Sequence, residues 1–496
     1  MSRSSQAGKP SAPTLGPTLL LVAALTVILT AALLGGCAGM AERERVPETV
    51  PEERTLYEQI RLHVERLELE EAIAKVEEAL AESQPASGEA AETAAGQPAG
   101  DGGGFPLEMR LLYARLLLQA ERCNEARRQV MLILDRRPDQ SEALFILAVL
   151  EGRDGNTERQ RELLERVVAL DPDHADALSA LGRLSLEGGD LDGAERWFSR
   201  TLEADPRDFP ATLGLGRIHL ARKNYEQALS MLDRAVSIEP EFPFVYPDRA
   251  RAKARLGRSG DAVADYSRAV ELAPDYVWNY LDRGRLYLRM GLKDKAEGDF
   301  TRAAQIDRDN FLAYVYLAGL TYEQERWKES LEHYRRVVAL REDYPHAYKP
   351  LAVLNYRFGH WREAARWFSR AREAEPRNFA YPLMAVLALR RADAHEQAER
   401  ALESAMREMP RESWWYEVAR YLLHPQYESS LFSMQSRRRD RLIRSKMSFY
   451  VATQHLVEEH RRTAAAMFTE VVHSDTGMYM EKRLAAWELQ RMEGKR

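Results

Sequence analysis

The segment HLVEEH, His455 to His460, holds the residue types of a metal site. Its histidines are five apart, and on a regular helix that spacing does not put both on one face, as the four-residue spacing of a zinc-protease helix does. The segment GRSG, Gly257 to Gly260, lacks the second spacing of a nucleophile elbow and falls where a turn between helices is expected. No phosphate loop, CxxC pair or dinucleotide fingerprint occurs. Local motifs therefore give no reason to expect catalysis, a metal, a cofactor or a small-molecule substrate. What does recur is a guanidinium. An arginine stands at Arg183 in LGRLSL, Arg217 in LGRIHL, Arg251 in RARAKA and Arg285 in RGRLYL, each 34 residues from the last. Its planar fork pairs bidentately with carboxylates, so a row of such groups could grip an acidic chain.

Something must set that interval, and the whole chain bounds what it can be. At 496 residues the chain exceeds one compact core, and 45% apolar residues exclude global disorder, so several domains or a repeat array is expected. A net charge of −6 gives no reason to expect nucleic acid.

The interval is a repeat of the whole chain. Pro138, Pro172, Pro206, Pro240 and Pro274 are 34 apart, Arg308 and Glu342 fill the next two slots, and Pro376 and Pro410 resume the register. With that proline as position 32 of a unit, position 8 is small (Ala114, Ala148, Gly182, Gly216, Ala250, Gly284, Ala318, Ala352). Position 20 is mostly alanine, with Gln160 and Ser330 as departures, and position 24 is bulky, as in Phe198, Tyr266, Phe300, Tyr334 and Phe368. Glycine returns at position 15 (Gly155, Gly189, Gly257, Gly291, Gly359), where one helix must stop. The pattern resembles the tetratricopeptide repeat. That resemblance implies an all-α helix–turn–helix solenoid, a right-handed superhelix of about 10–11 repeats, whose function is to bind other proteins.

Around nine units over 105–412 lie other segments. Residues 53–82 read as a degenerate helical hairpin and 83–104 as a linker without aliphatic side chains larger than alanine. Residues 413–496 read as capping helices with one divergent repeat, in which Ala452, Ala464 and Phe468 hold positions 8, 20 and 24. The first 36 residues, with the apolar run TLLLVAALTVILTAALL, read as an export signal. LGGC, Leu34 to Cys37, resembles the lipobox of bacterial lipoproteins, which implies cleavage before Cys37, its acylation, and a tether over 37–52. Ala38 in that family implies sorting to the outer membrane, facing the periplasm. Cys123 then has no intrachain partner and reads as a half-buried packing residue.

On the first helix of a unit, positions 4, 7, 8 and 11 share one apolar face, and position 9 lies about 150° from its centre. The resemblance makes that opposite side the wall of a groove, through positions 2, 5, 9, 12 and 13. Carried over unit by unit, the groove comprises Arg183, Arg217, Arg251, Arg255, Trp278, Arg285, Arg289, Tyr322, Tyr356 and Arg357, with Arg115 in the first unit and Val149, Gly319 and Val353 interrupting the row. The expected partner is a protein or peptide, acidic or extended, with the membrane reached through the lipid anchor. The rival expectation is a spacer without a groove ligand.

Overall fold

In the computed structural model, the described residues are 107–494 and, before them, 56, 58, 60–64 and 68–82. The export signal, Cys37 with its tether, and the linker 83–104 lie outside the described residues. The chain forms two compact units that meet in sequence at Glu239 and Pro240.

The first unit begins with α1 (Leu69–Glu82), followed by the pairs α2 (Leu107–Gln119) and α3 (Cys123–Arg136), α4 (Ser141–Arg153) and α5 (Thr157–Leu170), α6 (Ala175–Glu187) and α7 (Leu191–Ala204), α8 (Phe209–Ala221) and α9 (Tyr225–Ile238). The second unit continues with α10 (Val245–Arg255) and α11 (Ser259–Leu272), α12 (Val277–Arg289) and α13 (Lys293–Ile306), α14 (Phe311–Glu323) and α15 (Trp327–Leu340), α16 (Tyr348–Arg357) and α17 (Trp361–Ala374), α18 (Ala380–Arg391) and α19 (His395–Glu408). It ends with α20 (Trp414–Leu423), α21 (Glu428–Arg437), the pair α22 (Arg441–Val457) and α23 (Arg461–His473), and α24 (Met480–Met492). No strand occurs among the described residues.

Helices of 13–14 residues are marginal alone, so packing between partners must hold them. The small residue at position 8 is where that packing is tightest. A Cβ added to Gly284 would lie 2.7 Å from the Phe300 ring, and one added to Gly182 2.5 Å from Phe198. The turn inside each pair needs one left-handed residue at position 15. Glycine supplies it at Gly155, Gly189, Gly257, Gly291 and Gly359, but Glu121, Lys223, Glu325, Asp393 and Glu459 adopt the same conformation with φ of 55–66°. A side chain there costs roughly 1–2 kcal/mol, so the packed pair enforces the turn even without glycine.

Two features depart from the expected apolar face. At position 7 of α10 and α12 stand Arg249 and Arg283, each in a two-point ion pair with a buried aspartate of the partner helix. Arg249 Nη2 lies 2.7 Å from Asp265 Oδ1, and Arg283 Nη2 2.7 Å from Asp299 Oδ1. A second recurrent arginine, at position 26, joins successive units. Arg166 and Arg200 donate to the carbonyls of Pro138 and Pro172, both at 3.0 Å, Arg234 to that of Pro206, and Arg336 to that of Arg308 at 3.1 Å. In the first unit α1 packs on α2, with Tyr113 Oη donating to Glu77 at 2.8 Å. Cys123 is half-buried, with Arg153 3.5 Å from its sulfur.

Candidate partner-binding face

The face opposite each pair's own core is built by the first helices, and its character changes along the second unit. On α10 and α12, Arg251, Arg255, Arg285 and Arg289 are all exposed. They occupy positions 9 and 13 of two consecutive repeats, one helical turn apart on each helix. Trp278, at position 2 of the second repeat, is 43% exposed. Arg251 bonds the buried Asp248 three residues back, and Arg285 Nη1 lies 3.1 Å from Asp282 Oδ1. Burial pushes the Asp282 carboxyl above the ordinary aspartate range, against the pull of Arg285 and Arg251. Burial also pushes the Tyr266 phenol upward, with Asp282 adding to the shift and the three arginines 251, 289 and 285 opposing it. Arg251, Arg285 and Arg289 thus share one electrostatic system with Asp282 and Tyr266.

Further along the same face the side chains are covered. Tyr356 is fully buried, and Tyr322 and Arg357 are half-buried beneath α24. Arg483 on α24 donates to the Tyr322 hydroxyl at 3.0 Å and lies over its ring. Trp487 packs edge-on against Trp327, with centroids 5.0 Å apart, and Arg357 lies 4.5 Å from the Trp487 ring centre. Arg491 donates to the carbonyls of Tyr356 and Arg357 at 3.1 and 2.8 Å. Glu488, 0% exposed, pairs with Arg391 at 2.6 Å and with Arg491 at 2.7 Å, and Arg391 stacks 3.9 Å from the centre of the Trp361 ring. Tyr322, Tyr356 and Arg357 thus correct the sequence expectation: they seat the chain's own last helix rather than line an open groove. The physical reason is that aromatic and cationic side chains at positions 12, 13 and 17 match the Trp, Glu and Arg residues of α24.

In the first unit the row is different again. Arg183 and Arg217 are half-buried rather than displayed. Burial lowers Arg183, while Glu187 and Asp208 counter the shift. Acids interleave with the cations here. Arg115 pairs with Glu142 at 2.7 Å, and His174 Nε2 lies 3.6 Å from the other Glu142 oxygen. Burial raises Glu142, but the hydrogen bond and charge of His174 and the Arg115 guanidinium outweigh it and bring the carboxyl down to about 2. Asp208 is pushed up to about 6 by burial, although it caps α8 by accepting from Ala211 N at 2.6 Å. In this unit carboxylates at the helix starts share the face with the arginines.

Sequence reasoning missed three things. The position-26 arginines recur as regularly as those at position 9, and their interval was the available signal. The seat of α24 is also periodic, in Trp327 and Trp361 and in Arg357 and Arg391, each pair 34 apart. The segment HLVEEH, set aside on helical spacing, ends its helix at Val457, and the left-handed Glu459 brings His460 back beside His455, ring centroids 5.6 Å apart.

Family models described as Tetratricopeptide repeat match residues 153–211 and residues 111–175, 198–244 and 281–345. Among solved structures, the chain is similar to pilF of Pseudomonas aeruginosa, at 19% identity, covering 43% of this chain and 97% of that one with a TM-score of 0.38. It is similar to the C-terminal part of a repeat-containing protein of the same kind from Cytophaga hutchinsonii, at 14% identity, covering 49% and 99% with a TM-score of 0.39. A tetratricopeptide repeat protein from Parabacteroides merdae matches at 21% identity, covering 54% and 98% with a TM-score of 0.36. No curated protein matches significantly in sequence.

Proposed function

Given that this chain is a tetratricopeptide-repeat protein, an interaction scaffold made of stacked helical pairs, we propose that it holds an acidic, extended partner segment on the arginine face of α10 and α12. One observation carries the reading: Arg251, Arg255, Arg285 and Arg289 are exposed together beside an exposed Trp278. An extended strand presents alternate side chains about 6.6–6.8 Å apart, close to the spacing between guanidinium stems one helical turn apart. A carboxylate at every second residue can then meet successive arginines while Trp278 supplies an apolar contact. Binding of this kind is weakened by salt, because exposed charges are screened beyond about 10 Å at 0.1 M.

The scaffold works at the cell envelope in this reading, held by a lipidated Cys37 in the outer membrane and facing the periplasm. Support comes from LGGC at the end of an uncharged apolar run, with Ala38 after it. There it would take part in assembling an envelope or secretion complex.

The test of the face is Arg251→Glu/Arg285→Glu, compared with the native chain for capture of partners from solubilised membranes and for binding of a labelled peptide of alternating glutamates. The reading expects loss of the captured partner and at least a tenfold weaker peptide. A spacer without a groove ligand would keep every partner. The anchor is tested separately by mass spectrometry of the native chain and of Cys37→Ala: a mature protein that stays uncleaved and membrane-bound with or without that thiol overturns the lipid assignment.

A further inference from the structure

The turn after α22 gathers ligand-bearing side chains that linear spacing keeps apart. Residues five apart on a continuous helix stand about 140° from each other. Here the helix stops at Val457, Glu459 takes φ 66°, and His460 N donates to His455 O at 2.8 Å. The turn swings the second imidazole back over the first. Glu458 lies with them: its Oε2 is 3.6 Å from His460 Nδ1 and 4.0 Å from His455 Nδ1. The three donor atoms all lie within 4.8 Å of one another.

What surrounds them fixes the orientation of each donor. His455 Nε2 is 2.9 Å from Glu428 Oε1, so the ring donates its N–H there and leaves the Nδ1 lone pair facing the cluster. His455 is only 9% exposed, and its buried Nδ1 has no hydrogen-bond partner. A buried ring nitrogen without a partner is costly unless something occupies its lone pair. Glu458 is held from the other side. Its Oε1 accepts from Gln454 Nε2 at 2.6 Å, and Gln454 Oε1 in turn accepts from Arg390 at 2.5 Å. That leaves Oε2 toward the histidines. A carboxylate behind one imidazole and an amide behind the ligating carboxylate are the supports that metal ligands use.

We propose that His455 Nδ1, Glu458 Oε2 and His460 Nδ1 bind a divalent transition ion of the zinc class. Two imidazoles and one carboxylate select zinc and its neighbours over magnesium and calcium, which take oxygen ligands. Tetrahedral bonds of 2.0–2.2 Å place donors roughly 3.3–3.6 Å apart, so the glutamate and His460 already stand at ligand spacing and His455 needs a small closure. Three protein donors leave a fourth position for water on the His460 side, where that side chain is 61% exposed. The ion would pin the end of α22 to the start of α23 and, through Glu428, to α21.

The experiment titrates Zn2+ into the full chain against a chromophoric chelator and records the visible absorbance of Co2+. One equivalent per chain is expected, with at least a tenfold loss of affinity in His460→Ala, whose exposed side chain can be removed without disturbing the core. Glu428→Gln should weaken binding by about 10–100-fold, the effect typical of a supporting carboxylate. His395→Ala, at an exposed histidine elsewhere, should bind as the native chain does. Absence of a saturable equivalent, or affinity unchanged by His460→Ala, overturns the assignment. Should His455→Ala fail to fold, His460→Ala still decides.

Discussion

The α10–α12 stretch and the α14–α18 stretch present the same positions of the same repeat, yet one displays charge and the other is roofed by α24. The difference lies in positions 12 and 17. Ala254 and Leu288 hold position 12 and Ser259 and Lys293 position 17 in the open stretch, whereas Tyr322, Tyr356, Trp327 and Trp361 hold them in the covered one. Large rings offer a closing helix both area and edges, and area removed from water gains about 25 cal/mol per Å2. Small or solvated side chains offer neither. Occupancy of this face is therefore decided locally, residue by residue, within one unbroken period.

The largest break in the comparison should come from Glu488→Ala. It leaves the half-buried Arg391 without its carboxylate, which costs up to roughly 3 kcal/mol, the low end for a broken buried pair. Urea unfolding followed by tryptophan fluorescence, to which Trp327, Trp361 and Trp487 contribute, should show an early transition of the covered stretch while α10 to α12 stay folded. Asp299→Asn should act within the open stretch instead, weakening its buried pair with Arg283 by about 2–3 kcal/mol, read from the same melts.

The mixed face of the first unit gives a pH test. Asp208 has a folded pKa of about 6, raised above an unfolded value near 3.9, so its contribution is fully present below pH 4 and is lost as pH rises through 6. Asp208→Asn keeps the cap acceptor but cannot ionise. It should therefore be more stable than the native chain at pH 7, by about 3 kcal/mol at most, with the advantage shrinking toward pH 4. Equal native-minus-variant differences at pH 4, 5, 6 and 7 in urea melts followed by Trp197 fluorescence would contradict this.

Smaller effects sharpen the contrast. Arg285→Ala should change stability by less than about 1 kcal/mol in calorimetry, since an exposed ion pair contributes little. The smallest is Lys223→Gly, which relieves a left-handed side chain but adds backbone entropy, for a net gain of about 0.5 kcal/mol in the same measurement.

The fold was legible because its determinants are local and periodic: a small residue at 8, alanine at 20, a ring at 24. A single period also located the position-9 arginines on α10 and α12. It did not show where α24 packs, because the match to Trp327, Tyr356 and Arg391 joins residues about 100 to 160 apart and only the seat, not α24 itself, follows the repeat. Nor could helical spacing foresee His455 beside His460, because one left-handed residue between them cancels the angle that a continuous helix would impose. Burial of Arg183 and Arg217 was hidden for a related reason, since exposure depends on neighbouring repeats that the arginine's own unit does not encode.

The position-26 arginines have a further consequence. Arg166, Arg200, Arg234 and Arg336 each reach a carbonyl 28 residues earlier, at a fixed step back along the array. An inserted or deleted residue anywhere between hook and eye would slip one tooth, and the misalignment would be felt at the next unit as well. The array is in this sense a zip fastener with a built-in ruler, which is a mechanical reason why eight successive intervals hold the same length while the side chains on its outer surfaces vary freely.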